Sequence, residues 1–216
     1  DSFNTAVGCQ AGLSVTTGTE NTIIGGRAGD ALTDADKNVA VGSEALSADT
    51  LGSNSVAVGR AALANQNFTS ATDTYNTAVG ARAGVEVTTG VNNTLIGGLA
   101  GDANTTGSQN TGIGVQSLSA NTTGASGTAI GYAALLGNTT GCCNTGLGKG
   151  AMQTNTTGAE NVAVGDSALT ANTTASKNTA VGSAALAANT TGELNTAIGY
   201  YAMKDNEIKK MYLIYS

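Results

Sequence analysis

A glycine preceded by an aliphatic residue recurs at positions 8, 25, 42, 59, 80, 97, 114, 131, 148, 165, 182 and 199. Every interval is 17 residues except one of 21, between Gly59 and Gly80. Twelve copies of the unit N-T-A-V-G-x-x-A-L-x-x-N-T-T-G-x-x therefore run from Asp1 to about Met203. A fixed short period means that each unit meets the same surroundings as its neighbours, which is the mark of a stacked array. Ala stands three residues after the glycine in eleven copies, with Ser117 the exception. Asn stands four residues before it in ten, with Ser55 and Gly127 the exceptions. Charge falls at the variable positions, as at Arg27, Glu44, Arg60, Arg82, Lys149 and Asp166 after the glycine, or Glu20, Lys37, Glu160, Lys177 and Glu193 before the next Asn. Constant positions are expected to build the scaffold and variable ones to face water. Residues 6–30 also match residues 78–102, an offset of 72, so the array grew by duplicating blocks of four units.

A unit of 17 residues is too short for a helix pair, and Gly, Asn and Thr are poor helix formers. The T-A-V stretch alternates with period two, as a strand does, placing Val or Ile and the preceding Thr or Val on one face and Ala or Gly on the other. Asn and Gly recur where the chain must turn, since both tolerate left-handed backbone angles. The fold class predicted is all-β: a parallel β-solenoid of about twelve 17-residue coils over residues 1–203, with 204–216 as a C-terminal cap or junction. Stacked Asn amides should form two ladders, one of Asn4, Asn21, Asn38, Asn76, Asn93, Asn110, Asn144, Asn161, Asn178 and Asn195. The other should join Asn104, Asn121, Asn138, Asn155, Asn172 and Asn189. Each coil offers two aliphatic core candidates, the Val or Ile before the glycine and the Leu or Met of the A-L step, against the entropy of ordering a whole coil. Burial against partner chains is expected to complete the core. The four surplus residues between Ala64 and Tyr75 are expected to bulge outward, carrying Phe68 or Tyr75 to the surface.

Residues 54–59 read NSVAVG, and 38–42 and 161–165 read NVAVG. These resemble the NSVAIG signature of the YadA-like head of trimeric autotransporter adhesins. The wider unit is similar to NTAIG-type repeats in tail fibres of phages that infect cyanobacteria. The resemblance implies a left-handed β-roll, a parallel homotrimer and a role in adhesion. The adhesin repeat is shorter than this one, so the outline of its coil is not expected to carry over in detail.

Residues suited to chemistry are sparse. The chain has no His, and its 15 carboxylates are scattered over corners with no isolated pair. Gly146-Leu147-Gly148-Lys149-Gly150 lacks the spacing of a phosphate-binding loop and is the repeat's own glycine beside a variable Lys. Asp34 and Asp36 read as solvated corner charges. Cys9, Cys142 and Cys143 are too few for a disulfide framework or a zinc site, and the adjacent pair reads as free thiols. A net charge of −6 with scattered cations argues against nucleic acid as a partner, and no apolar run approaches a membrane span. No enzyme activity, cofactor, metal or catalytic residue is expected. The chain begins at Asp1 and is read as processed or as part of something longer. The function expected first is a structural or adhesive fibre segment, a viral tail-fibre shaft or receptor-contacting rod, located on the virion or outside the cell. A bacterial surface adhesin or filament is the alternative within that class, and an ice-binding solenoid, using stacked pairs such as Thr105/Thr106 and Thr122/Thr123, is the alternative outside it. Expected partners are two further copies of the chain and a host or cell-surface receptor.

Overall fold

The computed structural model describes residues 2–205. Twelve three-residue strands, one from each repeat, form a single parallel sheet from Thr5–Val7 to Thr196–Ile198. Each residue pairs with its equivalent one repeat later, as in Thr128↔Thr145, Ala129↔Gly146 and Ile130↔Leu147. The longer unit keeps the same register, Val56 pairing with Thr77 and Val58 with Val79. The chain is thus an all-β parallel solenoid with one coil per repeat, and the sheet spans roughly 50–55 Å at the spacing of neighbouring strands.

Hydrogen bonds join the coils on every side. In the seventh coil the strand amide of Thr111 donates to Gly127 O at 2.8 Å and Leu118 N to Ala134 O at 3.0 Å. Thr122 N donates to Thr139 O at 2.9 Å, and Ser126 N returns to Ser108 O at 3.0 Å. The strand-ending glycines sit at the closest approach. A Cβ on Gly131, whose φ is +136°, would lie 2.6 Å from the carbonyl oxygen of Gly148 on the next coil. No side chain fits there, which is why this glycine recurs in all twelve copies.

The strand-ending glycines have positive φ as composition predicts, but the left-handed corners are not confined to Gly and Asn. They fall at the residue before the constant Asn (Glu20, Lys37, Gln109, Glu160) and at the second residue after the glycine (Arg27, Ala133). The Leu of the A-L step is left-handed too, with φ of 53° at Leu46 and 51° at Leu135 and Leu186. The constant Asn itself lies outside this region at every ladder position. Its function in the coil is carried by its side chain.

The interior also differs from the expected one. The middle residue of the strand points inward: Ala40, Ala57, Ala78, Ala129, Ala163 and Ala180 are fully buried. The Leu of the A-L step meets it across a thin interior, with Leu46, Leu63, Leu135, Leu169 and Leu186 at 0% exposure. The Val or Ile before the glycine therefore faces outward and adds nothing to the chain's own core. Space left by small residues is filled from the same coil or the next one, as Ile23 and Leu95 lie against Gly12 and Gly84 of the preceding coils. Where the A-L leucine is replaced by Gly29, the strand residue becomes Ile23, and a Cβ on Gly29 would meet Leu32 Cδ1 at 2.8 Å and Ile23 Cγ2 at 3.4 Å. Gly101 is matched in the same way by Leu95.

The surplus residues between Ala64 and Tyr75 divide into an inward and an outward part. Thr69, Ser70 and Ala71 are exposed, as a bulge requires, and Tyr75 is 58% exposed. Of the two aromatics named for the outward position, Tyr75 takes it and Phe68 is buried. The backbone amide of Phe68 joins a polar knot in the second ladder column, where Asp49 and Gln66 replace Asn. Gln66 Nε2 donates to Asp49 Oδ2 at 2.6 Å, and the amides of Gly52 and Phe68 both donate to Asp49 Oδ1 at 3.1 Å. Thr72–Asp73 pairs with Gly52–Ser53 as a separate two-stranded ribbon, so the flank of the insertion extends the stack. At the other end, Ala188 N donates to Lys204 O at 2.8 Å, so stacking reaches at least Lys204. Of the cap or junction expected over 204–216, Lys204 continues the stack, and residues 206–216 lie outside the described residues.

Candidate interaction surface

Three surfaces follow from this coil: two amide ladders turned inward, a sheet face turned outward, and the corners where the variable residues stand. Both ladders form as the spacing predicts. In the first, each Asn accepts from the backbone of the next, as Asn178 N donates to Asn161 Oδ1 at 2.9 Å. Its amide donates to a carbonyl across the coil, as Asn161 Nδ2 to Ala175 O at 2.8 Å. In the second, side chain bonds side chain: Asn138 to Asn121 at 2.8 Å, then Asn155 to Asn138 and Asn172 to Asn155, both at 2.7 Å. Buried amides satisfied in this way stabilise a narrow interior that apolar side chains alone could not fill. Asn189 Oδ1 ends the second column buried and without a partner among the described residues; the next position of that column in the sequence is Asn206.

The outward face of the sheet carries two columns. One holds Thr77, Thr94, Thr111, Thr128 and Thr145 in an unbroken run, all half-buried at the surface. The other holds the residues before the glycines. Val7, Ile24, Ile96, Leu147 and Ile198 are between 37% and 68% exposed, and Val41, Val58, Ile113, Ile130, Val164 and Val181 are half-buried. A continuous aliphatic stripe along the whole rod is unusual on a surface that faces only water. No family model, curated protein or solved structure matches the chain.

The threonine pairs of the bends are less free than their sequence suggests. Thr105, Thr122, Thr139 and Thr156 each donate their hydroxyl to a carbonyl one coil away at 3.0–3.1 Å. In these four pairs only the second member, as at Thr106 and Thr123, is exposed. Asp34 and Asp36 are ladder acceptors, taking hydrogen bonds from Thr17 and Thr19 one coil below. Among the described residues no three His, Cys, Asp or Glu side chains converge as a metal site would need. No helix there is long and apolar enough to cross a membrane.

The three cysteines are free and exposed. A hydrogen bond with Cys142, some desolvation and the nearby negative charges hold the Cys143 thiol above its ordinary range. The exposed Tyr200 and Tyr201 rings meet edge to face at 4.1 Å, and Lys204 Nζ lies 4.7 Å from the Tyr201 ring. The hydrogen bond with Tyr201 raises the Tyr200 phenol. Sequence reasoning missed the Asp49–Gln66 knot, although both residues stand seven positions after their glycine, in register with the Asn column.

Proposed function

We propose that the chain is the shaft of a fibre in which three parallel copies pack through the aliphatic stripe, on a virion as a tail fibre or receptor-contacting rod. The observation that carries this reading is the stripe itself, from Val7 to Ile198, one aliphatic side chain per coil and none of them used by the chain's own core. With the A-L leucines buried inside the coil, this is the one of the two aliphatic columns that remains to serve an interface. The NSVAVG resemblance supports a trimer over other stoichiometries. A rod lengthened by duplicated units suits a spacer that holds a tip away from a surface.

Light scattering tests the reading, with the expected mass that of three chains. Ile113→Asp with Ile130→Asp, at half-buried outward positions, should yield monomers that keep their β spectrum, since neither side chain belongs to the core. A wild-type protein that stays monomeric at micromolar concentration contradicts the proposal. Thermal hysteresis measured on the same sample separates this reading from a water-ordering solenoid, which would depress freezing and leave the mass unchanged.

A further inference from the structure

In a tandem array the repeat average builds the scaffold, so departures that cluster in space are where a particular function can reside. The most concentrated departure is a groove of about 400 Å³ lined by Arg60, Ala81, Arg82, Gly98, Leu99 and Val115. Its origin is legible in the frame. The residue after the strand-ending glycine runs Arg60, Ala81, Gly98, Val115 in four successive coils, so two small residues leave a trough about 14 Å long between two larger ones. Gly98 lies open: a Cβ there would meet nothing nearer than Ala81 O at 4.0 Å. Arg82 and Leu99, from the next column, form the side wall.

Charge sets this groove apart. Arg27, in the same column as Arg82, is neutralised by Asp30 Oδ2 at 3.3 Å and Glu44 Oε1 at 3.6 Å. Arg60 and Arg82 make no ion pair among the described residues, in a chain whose net charge is −6. Two unpaired guanidinium groups on adjacent coils, above an Ala, Gly, Leu and Val floor, fit a ligand with a carboxylate on an otherwise C–H-faced body. A peptide strand would find no free carbonyl edge here, because Arg60 O, Ala81 O and Gly98 O already accept from Arg82, Leu99 and Gln116 at 2.8–3.1 Å. The geometry points to a binding site for carboxylate-bearing saccharides, with Arg60 and Arg82 holding the acid and Leu99 and Val115 packing on the ring face. This names the receptor chemistry of the proposed fibre and rests on that reading for its biological setting.

Calorimetric titration of the full chain with a galacturonate oligosaccharide tests it. Neutral galactose oligomers and poly-glutamate serve as the other arms. Binding should be confined to the acidic sugar and fall roughly tenfold or more in the Arg60→Ala, Arg82→Ala double variant, the scale of lost charge-assisted hydrogen bonds. Gly98→Leu should abolish it by filling the trough without straining the backbone, and Arg27→Ala should leave it unchanged. No binding by the wild type, equal binding of poly-glutamate, or a double variant that binds as the wild type does would each overturn the site. Light scattering on the same samples keeps the outcomes apart: a trimer that ignores the sugar removes the site and leaves the fibre, and a monomer that binds it does the reverse.

Discussion

At the scale of the residue, the amide ladder is what makes a coil this thin stable. Asn155 donates to Asn138 Oδ1 and Gly158 O and accepts from Asn172. Asn155→Ala would remove all three bonds and leave buried polar groups on both neighbouring rungs. The expected cost is about 1–3 kcal/mol for each group left unsatisfied, read as a lower denaturation midpoint. The exposed Thr157, two residues further along the same bend, is the matched control, and Thr157→Ala should change stability little. The adjacent thiols offer a second test. The bond from Cys142 helps to keep the Cys143 proton on to higher pH, and the thiolate is the reactive form. Cys142→Ala removes that partner, so alkylation of Cys143 at mildly alkaline pH should speed up. An unchanged rate would mean the two side chains do not interact in solution.

At the scale of the element, the strand pattern identified two faces, yet not which one lies inside. Ala and Val are both apolar, and alternation alone separates them without ordering them. The orientation is decided across the coil: with Leu135 on the far wall, only a residue the size of Ala129 fits opposite, so the larger Ile130 turns out. The pairing of Ile23 with Gly29 and of Leu95 with Gly101 was visible in the sequence. Yet Gly12 and Gly84 stand opposite Ala6 and Ala78 and are filled from the next coil by Ile23 and Leu95, so a rule of exchange within one coil was not legible. The left-handed leucines were not legible, because nothing in leucine's own preferences predicts a positive φ; the turn imposes it. Phe68 lay in the one stretch with no sister copy to compare, where its backbone amide is held by the buried Asp49. Phe68→Ala should cost about 3–5 kcal/mol by removing a buried ring, as for other buried phenylalanines, and Thr69→Ala next to it should cost almost nothing. Urea denaturation of the two variants checks the contrast, and equal, small effects would mean the segment is a free loop.

At the scale of the whole molecule, the solenoid, the register and both ladders could be read from spacing, because a fixed period forces equivalent residues into the same environment. The interaction groove could not, since it depends on which small side chains happen to stack at one corner. In a stack of one coil per repeat, repeat number sets length and nothing else. Deleting residues 132–199 removes four units and joins Gly131 to Tyr200 at a seam where Thr128-Ala129-Ile130-Gly131 repeats Thr196-Ala197-Ile198-Gly199. Small-angle scattering of the shortened and full chains measures length and cross-section separately. The rod should shorten by about 19 Å at an unchanged cross-section, four coils at the strand spacing. A chain that unfolds, or one that keeps its length and thins, would contradict a stack of one coil per repeat.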